Sequence, residues 1–360
     1  MDYQFQYQQD RPDIVCTDRA LETPEQHPPN DFYGQASVLK RYARLREDQP
    51  LPLVIEHGLR RDGKIWSNDQ DALLSTLLVA SNARRHDLKR LTNKRVIPIG
   101  SCFCYAKQLV DEQSVAHLDA LPRQGTIVFP VHSTHWISAE FDNESFADLL
   151  LQLPKQMQPV VVCIYWKDYL QGAHEPYMRR GLKVVSAGHM FDRDFLLRFY
   201  DLCRRFKYAL GNEIGTHLFY SLVSGCSYAH IPGFPVRFSA PQQFLKNRSQ
   251  GAQYEASINK LHHLFSEIVS APTSPQLAEV RRIVGTDSVR SRAGIRAIIN
   301  AATHADSFRP AWLKVNTGEN LFLPSRFARQ VPQPLRFLLK TKRSIQKRLA
   351  PRPNTGRKAA

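Results

Sequence analysis

Lys183 to Gly233 reads KVVSAGHMFDRDFLLRFYDLCRRFKYALGNEIGTHLFYSLVSGCSYAHIPG. Short apolar runs alternate there with stretches of helical spacing. This predicts strand 183–187, helix 192–206, strand 208–211, helix 216–224 and strand 227–231. Strands separated by helices in this rhythm form a parallel, doubly wound sheet. In the first helix Phe195, Leu196, Phe199, Tyr200, Leu202, Cys203 and Phe206 fall mostly three and four apart. Arg198, Asp201, Arg204 and Arg205 lie between them, so one face is core and the other is wet. The second helix opens at Gly215-Thr216, after the turn Asn212-Glu213-Ile214, and stops at Gly225. Two readings of that opening stand side by side: its backbone N–H groups and dipole face an anion, or Thr216 simply caps its own helix.

Working outward, the other strand ends carry polar groups too. Thr126–Pro130 reads as a buried strand followed by His132-Ser133-Thr134-His135, whose donors suit phosphate or sugar oxygens. Zinc binding by this HxxH lacks a helix and a third ligand. Val160–Tyr165 is a strand running into Trp166-Lys167-Asp168; Lys167 either neutralises a leaving phosphate or pairs with Asp168. His189 follows strand 183–187, and Glu213 precedes the anion-facing helix, where it can accept from ribose hydroxyls or serve as a favourable helix-start charge. Ligands of open α/β sheets bind outside the carboxyl ends of the strands, so four strand ends converge on one rim.

A smaller set of elements precedes this one. Helix Gln35–Arg46 presents Val38, Leu39, Tyr42 and Leu45. Leu53–Ile55, a run within LLSTLLVAS and RVIPIGSCF read as strands, with a helix around Asn82 to Leu91. Leu53–Ile55 ends in Glu56-His57-Gly58, again on the ligand side of a sheet. Three strands make a short lobe, which is either truncated or completed by the earlier residues. Past Pro235 strand character is lost, and helical patterns follow at 252–269, 274–284 and 289–302.

The composition bounds the classes. The chain has 360 residues and the apolar and charged fractions of an ordinary globular protein. No apolar run reaches the length of a membrane span, and MDYQFQYQQDRPD has no signal pattern, so the chain is expected in the cytoplasm. Six cysteines without a CxxC pair read as small buried hydrophobes. The net charge is +16, but eleven Lys or Arg and no acid fall between Pro324 and the C-terminus. That tail, with an amphipathic basic helix at Leu335–Leu349, suits an anionic membrane surface; no nucleic-acid motif with interleaved aromatics supports nucleic-acid binding.

GNEIGTHLFYSLVSGCSYAHIP resembles the donor-side lobe of GT-B-type glycosyltransferases and related bacterial surface-polysaccharide proteins. DFYGQASVLKRYARL with PLPLVIEHG, and FPVHSTH with VVVCIYWKD, extend the resemblance over about Asp31 to Pro232. It implies two Rossmann-like α/β lobes with parallel sheets, a short N-terminal lobe and a helical C-terminal region. The expected segments are 1–30, a polar mobile arm; 31–123, the acceptor-side lobe; 124–240, the donor-side lobe; 241–323, helices packing on the lobes; and 324–360, the basic tail. The implied activity is transfer of a sugar from a nucleotide-sugar donor to a growing, lipid-linked surface glycan such as lipopolysaccharide or capsule, at the inner face of the cell membrane. Ser133, Thr134, His135, His189, Glu213, Gly215 and Thr216 would bind the donor. His57 or Glu56 would deprotonate the acceptor, with His132 and Lys167 completing the catalytic set. Asp192-Arg193-Asp194 spells the DxD of metal-dependent glycosyltransferases but opens a helix, where capping and first-turn charge explain both acids; no metal or cofactor is expected. The rival expectation is a non-catalytic scaffold of a polysaccharide assembly complex, since no catalytic motif stands out.

Overall fold

A computed structural model of the chain describes residues 10–113, 123–134, 137–240 and 251–307. All belong to one compact unit, Met1–Leu313; the second unit, Lys314–Ala360, lies outside the described residues, as do the expected basic helix and His135. The strands are β1 Val54–Ile55, β2 Thr76–Val79, β3 Arg95–Pro98, β4 Thr126–Phe129, β5 Ser138–Glu140, β6 Val160–Cys163, β7 Lys183–Val185, β8 Tyr208–Gly211, β9 Ser227–His230 and β10 Arg237–Ser239. The α-helices of seven residues or more are α1 Gln35–Ala43, α2 Asn82–Leu88, α3 Cys102–Gln113, α4 Asn143–Leu151, α5 Phe195–Cys203, α6 Thr216–Val223, α7 Ala252–Leu264, α8 Ser274–Val284 and α9 Arg292–Ser307.

Two parallel sheets organise these elements, as expected. The smaller runs β1-β2-β3, and the larger runs β7-β6-β4-β8-β9. In the larger sheet the chain lays β6 and β7 on one side of β4, then returns to place β8 and β9 on the other. The strand order therefore reverses beside β4, and the β4/β8 edge is the topological switch point. β2, β4, β6 and β8 are buried along their whole length, as strands of parallel sheets covered by helices are, whereas β3 is partly exposed. The antiparallel ribbon of β5 and β10 escapes the sequence reading: its residues are exposed or half-buried and carry neither period.

α3 is another unexpected element. Gly100, at φ +81°, ends β3, and the chain turns into a helix from Cys102 instead of continuing as a strand to Phe103. α3 packs against both α1 and α5. Its Phe103 stacks on Tyr220 of α6 at 4.1 Å and meets Phe199 and Tyr200 of α5 edge-on at 5.9 Å. One core consequently runs from Leu39 and Leu53 through Phe103 to Phe199 and Leu218, joining the two sheets. All six cysteines are free and buried.

The described part of the N-terminal segment is not the loosely docked arm expected over 1–30. Val15, Cys16, Glu25, His27 and Asn30 are buried. Glu25 pairs with Lys40 at 2.5 Å with both side chains almost fully enclosed, and His27 meets Asp69 at 3.0 Å. Asn30 donates to Leu53 O and accepts from Ile55 N–H, both at 2.8 Å. One side chain thus engages two backbone groups along the edge of β1. Polar residues gave this segment the look of a solvated arm; they are instead its internal hydrogen-bond partners.

Candidate functional site

The loop after β4 is held by the end of β6. Asp168, buried, accepts the Ser133 N–H at 3.0 and 3.1 Å, and Lys167 Nζ donates to Thr134 O at 2.7 Å. The Ser133 hydroxyl accepts from Ala139 N–H at 3.0 Å, and the Thr134 hydroxyl accepts from Ile137 N–H at 3.1 Å. Ser133 and Thr134, expected to bind the donor, and Lys167, expected to balance leaving-group charge, shape the loop. Burial raises the Asp168 carboxyl above its ordinary range, against the pull of its hydrogen bonds from Ser133.

What the clamp presents is His132. Its side chain is exposed, its ring packs on Tyr165 at 4.5 Å, and Nδ1 lies 2.7 Å from the Ser133 carbonyl. A carbonyl only accepts, so Nδ1 carries the proton and the Nε2 lone pair is available for proton transfer.

Across the switch point, the Asn212 side chain bridges the two loops by accepting the Val131 N–H at 2.7 Å. Asn212 is 4% exposed, and its Nδ2 is buried with no hydrogen-bond partner among the described residues. Four residues on, α6 begins at Thr216 without a side-chain cap. Thr216 is therefore not the cap that the simpler reading required. Beneath this opening His217 Nε2 lies 3.1 Å from the Tyr228 hydroxyl, and burial lowers its pKa to about 3. A Cβ on Gly215 would come within 2.8 Å of His217 Nδ1, and one on Gly211 within 2.6 Å of the Tyr228 hydroxyl. Both glycines make room for this imidazole. Glu213 contributes its carbonyl, which accepts from Tyr228 at 3.4 Å.

The remaining expected residues lie elsewhere. Glu56 is buried and held in two-oxygen contact by Arg84, with bonds of 2.7 to 3.1 Å. Its expected role as a base is corrected: the guanidinium occupies the lone pairs a base would use. His57 packs among Phe32, Tyr33 and Trp66 at 5.2 to 5.9 Å, and burial lowers its pKa to about 4. His189 is fully buried behind Trp166, its ring 3.9 Å away, with Nδ1 accepting the Phe191 N–H at 3.0 Å; the expected donor contact there is corrected as well. His57, His189 and His132 do share one aromatic seam, linked through Phe32, Phe191, Trp166 and Tyr165.

Asp192 and Asp194 lie just before α5, which starts at Phe195, three residues later than predicted. Asp192 faces Arg198 at 3.2 Å and Arg19 at 3.4 Å, and Asp194 faces Arg41 at 2.6 Å. Among the described residues no three His, Cys, Asp or Glu gather to hold a metal ion. Sequence reasoning passed over Asp168, Asn212 and His217. Asn212 was visible only as a turn residue; nothing in spacing shows that its amide crosses between loops.

No protein-family model matches the chain, and no curated protein aligns with it. Several solved structures resemble it in shape. UDP-GlcNAc 2-epimerase of Methanocaldococcus jannaschii, in complex with UDP-GlcNAc and UDP, is 9% identical over 76% of this chain and 73% of that one, with a TM-score of 0.39. The S. aureus MnaA–UDP structure is 10% identical over 77% and 81%, with a TM-score of 0.38. WaaG, a glycosyltransferase involved in lipopolysaccharide biosynthesis, is 11% identical over 66% of each chain, with a TM-score of 0.28.

Proposed function

We propose that the chain is an enzyme acting on a nucleotide sugar, specifically a glycosyltransferase that passes the sugar to a growing surface glycan. The observation that supports this is the corner at the β4/β8 switch point. There an orphaned buried amide donor, Asn212 Nδ2, and the uncapped start of α6 flank one loop junction. Buried donors without partners call for an acceptor, and a helix start favours negative charge. A nucleotide diphosphate supplies both. In this reading Gly215 and Thr216 offer backbone N–H groups, Asn212 adds a side-chain donor, and the α6 dipole stabilises charge on the leaving phosphate. His132 moves the acceptor proton through Nε2. Lys167 and Asp168 hold the loop that aims it.

The test is thermal-shift binding against UDP, GDP, CDP, CMP and dTDP, followed by a transfer assay with the sugar of the nucleotide selected. A selective rise in melting temperature in the native protein, lost in Asn212→Ala, is expected. No rise with any nucleotide, in folded protein, removes the reading. A second reading, a non-catalytic scaffold, draws on Glu56, Ser133, Thr134 and Lys167 all being spent on structural bonds. Selective nucleotide binding without any turnover would favour it. The segment 324–360 is proposed to hold the protein at an anionic membrane surface on the cytoplasmic side, where a lipid-linked acceptor is found. Cosedimentation with phosphatidylserine vesicles should be lost when 324–360 is deleted and weakened by salt; unchanged binding would sink this part.

A further inference from the structure

A cavity of about 280 Å³ opens between the loop after β1, the start of α2 and the helices α7 and α8. The crevice at the carboxyl ends of β1, β2 and β3, by contrast, is filled to about 20 Å³. Arg60, Arg61, Arg84, Lys260 and Arg282 line the larger cavity, with Asp87 and Glu279 as its acids. Most of these cations have carboxylates: Arg60 pairs with Asp62, Arg84 with Glu56, and Lys260 and Arg282 with Glu279. Asp87 adds its charge near Arg282.

Arg61 is the exception. Among the described residues it meets no carboxylate. Its guanidinium lies over the rings of Phe219 at 5.5 Å and Tyr254 at 5.3 Å, with the Tyr254 hydroxyl at 3.4 Å. Its Nε is buried with no hydrogen-bond partner among the described residues. On the α7 wall the Ser257 hydroxyl is likewise buried and, among the described residues, unpartnered. A planar cation lying over two rings, with no carboxylate of its own among the described residues, is arranged for an incoming oxyanion. Ser81, Gln253 and Ser257 supply neutral polar groups around it, of the kind that bind hydroxyls.

We propose that this cavity binds an anionic sugar, a small polyhydroxylated molecule bearing one phosphate or carboxylate, with Arg61 as its anion contact. The assignment does not rest on the nucleotide-sugar reading, because the cavity and the α6 start draw on different residues.

Isothermal titration of the full chain with glucose 6-phosphate, glucuronate, glucose and inorganic phosphate tests it. Binding of either anionic sugar and not of glucose is expected; which of the two binds separates a phosphoryl from a carboxylate ligand. Arg61→Met keeps the apolar stem but removes the fork and should weaken binding by roughly tenfold or more. Ser257→Trp fills the cavity from α7 and should abolish binding, with circular dichroism melting as the folding control for both variants. No binding of either anionic sugar, binding of glucose as tight as that of glucose 6-phosphate, or binding unchanged in Ser257→Trp would each overturn the proposal. Inorganic phosphate binding as tightly as glucose 6-phosphate would overturn the sugar part of it. Displacement of the anionic sugar by UDP would move the ligand to the switch point and overturn the location.

Discussion

The loops after β1 and after β4 occupy equivalent places, each at the carboxyl end of a parallel strand, and each carries a histidine beside potential acid–base partners. Their fates differ. After β1, Glu56 is locked by Arg84 and His57 is enclosed by Phe32, Tyr33 and Trp66. After β4, the neighbours Ser133 and Thr134 are consumed in shaping the loop while His132 stays exposed with one ring nitrogen committed to a carbonyl. The same residue types become a buried joint in one place and an available proton carrier in the other. Packing, which the residue types alone do not state, decides between them.

The sharpest way to break this contrast is Arg84→Met. It strands the buried Glu56 carboxylate, and the expected loss is about 3–5 kcal/mol in urea unfolding. Glu56→Gln in the same background should recover part of it. A loss below about 1 kcal/mol would show that Glu56 is not held as described and reopen it as a base.

Acid tests the joint next. His57 titrates at about 4 in the folded protein, against 6.5 when unfolded. Between those values the unfolded chain binds more protons than the native one, so this contribution is complete above pH 6.5 and is lost as the pH falls towards 4. At about 1.4 kcal/mol for each pH unit of that window it amounts to roughly 3 kcal/mol. His57→Phe, which keeps a ring in the seam, should flatten the fall in stability between the two values; an unchanged slope would place the titration elsewhere.

Smaller effects belong to the β4 loop. Asp168→Asn weakens two charge-assisted contacts to the Ser133 N–H and should cost about 1–3 kcal/mol, with transfer activity falling further than stability. Activity that survives intact would mean that the clamp does not aim His132. His132→Ala itself should change stability by no more than about 0.5 kcal/mol, as at other exposed positions, while lowering turnover by roughly 10²-fold or more. Undiminished turnover in that variant removes His132 from the chemistry.

Much of the scaffold was legible in the sequence because apolar period is a local signal. The switch from short runs to helical spacing in 183–233 places β7, α5, β8, α6 and β9, with ends shifted by a few residues where helices fray. The helix α3 was not legible, since its first residues continue an apolar run and only the turn at Gly100 separates them from β3. The candidate site was half legible. Position at a strand end can be read from order alone, and this brings His132, Gly215 and Thr216 to the switch point. Commitment cannot: Lys167 and His189 are equally polar on paper. The bond of Lys167 to Thr134 O, and the burial of His189 behind Trp166, exist only after distant segments meet.

Asn30 carries a consequence for how copies of this chain treat one another. A strand at the margin of a sheet invites another strand to add to it. By engaging Leu53 O and Ile55 N–H, Asn30 occupies part of the β1 margin of the three-stranded sheet with a single amide. A version trimmed to begin at Asp31 would uncover that margin, and its characteristic failure would be self-association through exposed backbone.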